Sequence, residues 1–246
     1  MRADPADQLR LLDLQALDAR LAQLQHQRRS LPELALITEI TATHTETLTH
    51  LRDQQVVVDD LSATQAKADA DVEQVKARRT RDRDRMDKGL ISNPKDLERM
   101  QHELESLERR IGVLEDEELE IMEQLEIAQT GLDTLREEVA GMEARRAELV
   151  ESRDGRFAVL DAELAEVQAD RDRAATGVPA DLLALYEKLK EAKGVGASEL
   201  RARQCGGCRL TLDAAEVSRI RALPPEEVVR CEECQRILVR TAESGL

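Results

Sequence analysis

The chain has 246 residues, a formal net charge of −15, and 35% charged side chains. Phe157 and Tyr186 are its only aromatic residues, whereas a globular core of this size normally buries several large rings. The composition therefore argues against a compact globular enzyme. Its many Leu, Ala, Glu and Arg residues are typical of long exposed helices.

The opening residues, MRADPADQ, lack the apolar segment of a signal peptide, and no stretch approaches the roughly 20 apolar residues of a membrane span. The four cysteines all follow residue 204 and are spaced as pairs, which indicates reduced thiols and not a disulfide framework. We therefore expect a cytoplasmic protein with no membrane partner.

The first predicted helix carries apolar residues at alternating steps of three and four, at Leu14, Leu17, Leu21 and Leu24. The pattern breaks at Arg28. Ser30 and Glu33 then bracket Pro32 in the arrangement of a capping box, which favours a new helix start. The sequence predicts an interruption or kink here, with the helix resuming near residue 31.

Two long repeats of the same spacing follow, separated by the stretch GLISNPKD at residues 89–96. The repeats run from Ile37 to Val75 and from Leu97 to Val167, with an extra residue near Arg153. Such seams predict a coiled coil, and the glycine, asparagine and proline between them predict a turn.

Two arms of equal length joined by one turn favour an antiparallel hairpin within the chain, over residues 1–176 with the turn at about 89–94. Folding the arms together places Val58 beside Leu125 and Val72 beside Ile111. Parallel pairing of two chains is the alternative. The predicted fold is mainly α: a long, kinked antiparallel coiled-coil hairpin with a small C-terminal C4 zinc ribbon.

A short helix with a glycine hinge is predicted at residues 177–197. Pro179 suits the helix start, and Leu182, Tyr186 and Leu189 form its apolar face. Gly194 and Gly196 end the helix and predict a flexible link to the ribbon at residues 198–246.

Cysteines occur in the pattern C-x2-C-x22-C-x2-C, at Cys205, Cys208, Cys231 and Cys234. Two such pairs supply the four thiolates of a closed tetrahedral zinc site, so we predict one structural Zn²⁺. Iron–sulfur ligation and a redox dithiol are the alternatives, and the redox reading lacks the βαβ context that it requires.

The spacer between the two cysteine pairs has its own predicted structure. Residues 213–216 form a helix cap, and the short helix ends before Pro224 and Pro225. Strands are predicted at residues 210–212, 228–230 and 237–240. This arrangement is typical of a zinc ribbon.

Charge is distributed in bands. The segment VKARRTRDRDRMDK at the turn carries +4, whereas EDEELEIMEQLE, residues 115–126, has seven acids and no base. Charges are screened over about 8 Å in the cell, so the two regions are predicted to act independently. Ordinary solvated helix charge is the favoured interpretation of the acidic band. For the alternating arginines at the turn it stands as an equal alternative to contact with a phosphate or an acidic protein.

The candidate contacts to nucleic acid or a partner are basic residues in two groups. Those at the turn are Arg78, Arg79, Arg81, Arg83, Arg85 and Lys88, and those flanking the cysteines are Arg203, Arg209, Arg236 and Arg240. Glutamates lie among the second group, and no aromatic side chain there offers a surface for base stacking.

The chain resembles the bacterial C4-type zinc ribbon domain family, which includes members of the flagellar-regulation type. LISNPKDLERMQHEL at residues 90–104, VPADLLALYEKL at 178–189, CGGCRLTL and CEECQRILVR carry the resemblance. It implies a kinked antiparallel coiled coil with a zinc ribbon, whose ligands are the four cysteines. Gln235 departs from the family pattern, because a glycine usually follows the last cysteine.

The resemblance implies an adaptor in transcription, transcript handling, or flagellar and secretion assembly, with RNA or DNA bound by the ribbon. Without a pocket holding an acid, base or nucleophile, and with four cysteines closing the zinc shell, we predict no enzyme activity. We expect protein partners along the coiled coil, RNA or DNA at the ribbon or turn, and possible self-association. The alternative is a protein-only, chaperone-like scaffold with a purely structural zinc.

Overall fold

The computed structural model describes all residues, 1–246, and contains five helices and three short strands. They are α1 (Pro5–Arg29), α2 (Pro32–Asp87), α3 (Pro94–Thr176), α4 (Ala180–Lys193), β1 (Ala197–Arg201), β2 (Gln204–Cys205), α5 (Ala214–Ala222) and β3 (Ile237–Arg240). The predicted fold class is confirmed. None of the helices is both long enough and apolar enough to cross a membrane.

The interruption near residue 31 separates α1 from α2, but the predicted capping box does not form. The Ser30 hydroxyl caps the end of α1 by donating to the His26 carbonyl at 2.8 Å. The Glu33 carboxylate accepts hydrogen bonds from Arg156 and Ser152 on α3, at 2.8 and 3.2 Å. The Glu33 carboxylate therefore bonds to α3 and to its own amide, and not to the Ser30 amide as a capping box requires.

Packing divides the chain into two compact units: Ala35–Val150, and Met1–Leu34 together with Glu151–Leu246. The domain limits predicted from the sequence, at residues 176 and 197, stay a prediction. Each unit has its own buried interior, described separately below.

The unit of residues 35–150 is a pair of antiparallel helices. Val58 and Leu125 are packed in one buried cluster, with Ala128 and Leu132 beside them. The Gln54 side chain crosses the pair to donate to the Ala128 carbonyl at 2.9 Å. This register is the one that the hydrophobic repeat predicts.

The turn joins α2 to α3 through residues 88–93. Gly89 adopts a left-handed backbone with φ +65°, which glycine adopts at little cost. The Asn93 side chain accepts a hydrogen bond from the Lys95 amide at 3.0 Å, and Pro94 occupies the first helical position.

The other unit has a core between α1, α4 and the sheet. Its buried members are Leu11, Leu14, Val178, Leu182, Tyr186, Leu189, Ala197, Ile237 and Val239. Within this unit the ribbon packs against the helices. The repeat had predicted Leu17 as a buried residue of α1, but the buried stripe passes through Asp18 instead. A step of four from Leu14 fits the seam as well as a step of three.

The ribbon is built on a three-stranded sheet in the order β2-β1-β3, with β1 antiparallel to β2 and parallel to β3. The strand predicted at residues 237–240 is confirmed. Those predicted at 210–212 and 228–230 are reduced to single bridges, at Thr211 and Arg230. Strand β1 was missed, because its residues fall in the predicted hinge and just beyond it. Asp213 caps α5 as predicted, accepting from the Glu216 amide at 2.7 Å.

Candidate metal centre and basic surfaces

The two cysteine pairs lie on backbone turns with the same hydrogen-bond pattern. In the first turn, the Cys205 amide donates to the Leu210 carbonyl and the Arg209 amide donates to the Cys205 carbonyl, at 3.0 and 2.8 Å. In the second turn, Cys231 and Gln235 make the equivalent bonds, at 3.1 and 2.9 Å. The local fold thus presents two pairs of sulfur atoms from equivalent turns.

The left-handed residue after each pair is not glycine. Arg209 has φ +62° and Gln235 has φ +63°, so Gln235 adopts a left-handed backbone at the position where the family usually has glycine. A side chain in this conformation costs roughly 1–2 kcal/mol. The side-chain amide of Gln235 offsets part of that cost by donating to the Glu232 carbonyl at 2.8 Å.

The sulfur atoms fit a single tetrahedral zinc ion. All four lie within 4.8 Å of one another, and the Sγ atoms of Cys205 and Cys234 are 3.8 Å apart, those of Cys208 and Cys231 3.9 Å. Tetrahedral zinc with bonds of about 2.3 Å to sulfur requires edges of about 3.8 Å. The C4 ribbon is therefore arranged to hold one structural Zn²⁺ with no open coordination position.

The thiols differ in their surroundings. Burial raises the pKa of Cys231 to about 12. Burial acts in the same direction on Cys205, but the amides of Cys208 and Gly207 and the Ser198 hydroxyl, 3.6 Å from the sulfur, outweigh it and lower the pKa to about 7. These donors stabilise a thiolate, which is the form that binds zinc.

Two of the four predicted ribbon arginines each bind two or more main-chain carbonyl groups of the protein itself. The Arg240 guanidinium donates to four carbonyl oxygens between residues 223 and 227, at 2.8–3.2 Å. Arg236 donates to the Lys193 and Val195 carbonyls at 3.1 and 3.2 Å. These two side chains hold the ribbon together and fasten it to the end of α4.

The remaining two ribbon candidates lie on the surface. Arg203 is exposed, and its Nε donates to the Gly245 carbonyl at 3.0 Å. The Arg209 side chain is exposed, and the contacts of this residue are made by its main chain. Leu210 beside it is 52% exposed. Arg209 is thus the ribbon candidate most accessible to a ligand.

At the turn of the hairpin, the predicted residues divide into paired and unpaired groups. Arg78 pairs with Glu103 at 2.6 Å and Arg79 with Glu108 at 2.9 Å, both on α3. Arg85 and Lys88 lie 3.9 and 3.5 Å from aspartates of their own helix. Arg81 and Arg83 are exposed and form no ion pair. The turn candidates therefore lie close together, over three turns of helix at the end of α2. The ribbon candidates form a second group more than 100 residues later in the sequence.

The segment after α4 is held at several points. The Gly196 amide donates to the Gln15 side chain at 2.9 Å, and the Gly196 carbonyl accepts from the Ile237 amide at 3.0 Å. A Cβ at Gly196 would lie 2.6 Å from the Tyr186 ring and its carbonyl oxygen. Glycine is required here for close packing. The predicted hinge motion stays a prediction.

One buried polar cluster was missed from the sequence. The Asp18 carboxylate, 3% exposed, accepts from the Tyr186 hydroxyl and the Lys190 ammonium at 2.6 Å each and from Arg171 at 3.2 Å. Burial raises the Asp18 pKa, but the bonds from Lys190, Tyr186 and Arg171 together lower it below its usual value. The position of Asp18 in the 3–4 repeat of α1, four residues after Leu14, could have indicated from the sequence that this carboxylate is buried.

Comparison with known proteins accounts for the whole arrangement. Residues 14–194 match the model of the CT398-like coiled coil hairpin domain, and residues 204–238 match the C4-type zinc ribbon domain. An uncharacterised protein of Mycobacterium tuberculosis is 32% identical over 247 residues, which cover 98% of both chains.

Solved structures agree with this. A structure from Mycobacterium smegmatis is 33% identical with a TM-score of 0.84, over 98% of this chain and 100% of the other. CT398 from Chlamydia trachomatis is 16% identical with a TM-score of 0.69, over 96% of this chain and 98% of that one, and shows the shared fold. The chain therefore belongs to the CT398-like coiled coil hairpin family and carries a C-terminal C4-type zinc ribbon.

Proposed function

We propose that this protein is a non-enzymatic cytoplasmic adaptor whose hairpin is the recognition surface. Its zinc site has a closed set of four sulfur ligands, so the metal stabilises the ribbon and leaves no position for a substrate or water. Four thiolates persist in a reducing compartment, which supports the cytoplasmic placement.

The observation that carries the proposal is the different use of the basic residues. The Arg236 and Arg240 guanidinium groups bind main-chain carbonyls, whereas Arg81 and Arg83 at the turn are exposed and unpaired. Exposed, unpaired guanidinium groups are suited to phosphate contacts. We therefore assign nucleic-acid binding to the turn of the hairpin, with Arg209 as the ribbon residue available to assist.

A protein-only scaffold is the second candidate, favoured by apolar surface on the helices. Leu36, Ile40, Met142 and Leu149 line an open groove of about 260 Å³, and Leu36 is 44% exposed. Such a groove suits a protein partner that inserts apolar side chains. Under this alternative the zinc acts only on the fold of the ribbon.

Fluorescence anisotropy of the zinc-loaded protein with labelled single-stranded RNA and duplex DNA, titrated over salt, separates the two. Nucleic-acid binding predicts a linear fall of log affinity with log salt. The double substitution Arg81→Glu and Arg83→Glu should flatten that slope. Arg236→Glu is the comparison variant, and it should lower the stability of the ribbon without changing the slope. Absence of binding at low salt would leave the protein-only scaffold.

A further inference from the structure

The unit of residues 35–150 has a weakly packed section in its seam. On α2 none of residues 59–71 is buried, and on α3 none of residues 115–124 is buried. Gln65 and Glu118 occupy seam positions of this section, and polar side chains there do not pack into a coiled-coil core as leucine does. Two helices alone therefore leave this part of the hairpin open.

An open groove of about 420 Å³ lies along this section. Its apolar lining comes from Leu119, Met122 and Leu125 on α3, of which Leu119 is 56% and Met122 43% exposed. Gln65 on α2 and Gln129 on α3 also line the groove, and neither side-chain amide forms a hydrogen bond within the chain. The groove thus offers apolar surface and free amide groups to a partner.

Acidic side chains flank the groove on both helices. On α3, Glu123 and Glu126 line the groove and form no ion pair. On α2, Asp69 lies seven residues before Lys76, which puts it on the side where Lys76 pairs with Glu115 at 2.8 Å. A partner in the groove would therefore meet carboxylates along both edges.

Few cations offset this charge. Residues 115–129 contain seven acidic residues and no basic one, and the facing residues 54–68 contain two acidic residues and one basic one. That base, Lys67, follows Gln65 by two residues and lies about 200° round the helix from it, away from the groove. The next cation along α3, Arg136, lies about 10 Å beyond the groove. The unneutralised charge favours a basic partner.

We propose that this groove binds a helical segment of a partner protein, with an apolar stripe flanked by lysine or arginine. From Glu115 to Gln129 the groove side of α3 is about 21 Å long, which matches about four turns of a partner helix. Such a helix would bury its apolar stripe on Leu119 and Met122 while its cations meet the flanking carboxylates. This surface is separate from the turn to which nucleic-acid binding is assigned and does not depend on that assignment.

The test measures binding of three labelled peptides of about 15 residues to the full zinc-loaded chain, by fluorescence anisotropy at low salt. The lysine peptide is a helix with leucine at steps of three and four and lysine on both flanks of that stripe. The scrambled peptide has the same composition without the stripe, and the glutamate peptide replaces each lysine by glutamate. The lysine peptide should bind, the scrambled peptide should bind about tenfold more weakly or worse, and the glutamate peptide should not bind.

Matched variants of α3 locate the binding surface. Leu119→Ser with Met122→Ser removes exposed apolar lining, and Glu123→Lys with Glu126→Lys reverses the charge beside it. Each pair should weaken binding of the lysine peptide about tenfold or more. The control variants make the same changes on a stripe about 145° round α3 and should bind as wild type does: Val113→Ser with Ile127→Ser, and Glu117→Lys with Glu120→Lys. Helical circular dichroism checks the fold of each variant.

Three results would overturn the proposal: no binding of the lysine peptide, equal binding of the scrambled peptide, or equal weakening by the groove and control variants. The last result would indicate general charge attraction. Sedimentation equilibrium of the chain alone adds a fourth, because a dimer that the lysine peptide dissociates would make a second copy the occupant.

The same variants separate this surface from the turn of the hairpin. The groove variants keep Arg81 and Arg83, so RNA or DNA binding at the turn should be unchanged in them. Conversely, Arg81→Glu with Arg83→Glu should leave the affinity for the lysine peptide within about twofold, because screening limits the reach of the turn charges. Failure of one proposal is therefore distinguishable from failure of the other.

Discussion

Replacing Asp18 by Asn tests the buried polar cluster that joins α1, α3 and α4. The change keeps the volume but removes the charge that binds Tyr186, Lys190 and Arg171. Removing one member of a buried ion pair costs about 3–5 kcal/mol. An open cleft of about 440 Å³ adjoins the site, and Arg171 and Lys190 keep Glu187 as a partner, so we expect the lower end, about 3 kcal/mol.

The assay uses the only tyrosine of the chain. Tyr186 is fully buried, and its fluorescence reports unfolding of this unit in urea, whereas circular dichroism is dominated by the long helices. With a slope of about 2 kcal/mol/M, the loss lowers the midpoint by about 1.5 M. Asp13→Asn, on the exposed face of α1, is the matched control and should leave the midpoint unchanged.

The stability at acidic pH provides a second test of the same prediction. The Asp18 pKa is lower in the folded protein than its usual value of 3.8. The charged carboxylate therefore contributes its stability above that value and loses it as pH falls through the folded pKa. The difference between wild type and Asp18→Asn should shrink below about pH 4. Equal midpoints for Asp18→Asn, Asp13→Asn and wild type at neutral pH would refute the assigned role of the cluster.

Three further predictions concern the ribbon and the helices. Arg209→Gly should stabilise the zinc-loaded ribbon by about 1 kcal/mol, because it removes the steric cost of a side chain on a left-handed backbone. Gln235→Gly should be nearly neutral, because it removes the same cost but also loses a hydrogen bond. Chelator-induced unfolding measures both effects. Gly196→Ala should lower the melting temperature through a cost of about 2 kcal/mol from crowding, whereas Gly155→Ala, with open space around it in α3, should raise it. Cys231→Ser should abolish stoichiometric zinc binding by elemental analysis and unfold the ribbon, yet leave most helical circular dichroism intact; a global loss would contradict separate stabilisation of the two parts.

The helical hairpin and the zinc ligands were predictable because both rest on local spacing. A 3–4 apolar repeat determines which face of a helix is buried, and two cysteine pairs supply a complete tetrahedral shell wherever the chain brings them together. The register of Val58 with Leu125 follows from the position of one turn between two long helices.

The packing of the ribbon was decided by tertiary structure. Strand β1 pairs in parallel with β3, 36 residues after its end, and such long-range pairing leaves no short-range pattern. Arg236 and Arg240 resemble surface arginines in the sequence, yet carbonyl groups exposed at the ends of α4 and α5 bind them. Asp18 is stable in a buried seam because donors from two other helices converge on it. The sequence by itself determined the elements and the metal ligands, whereas the tertiary contacts determined which charged side chains stay free to bind.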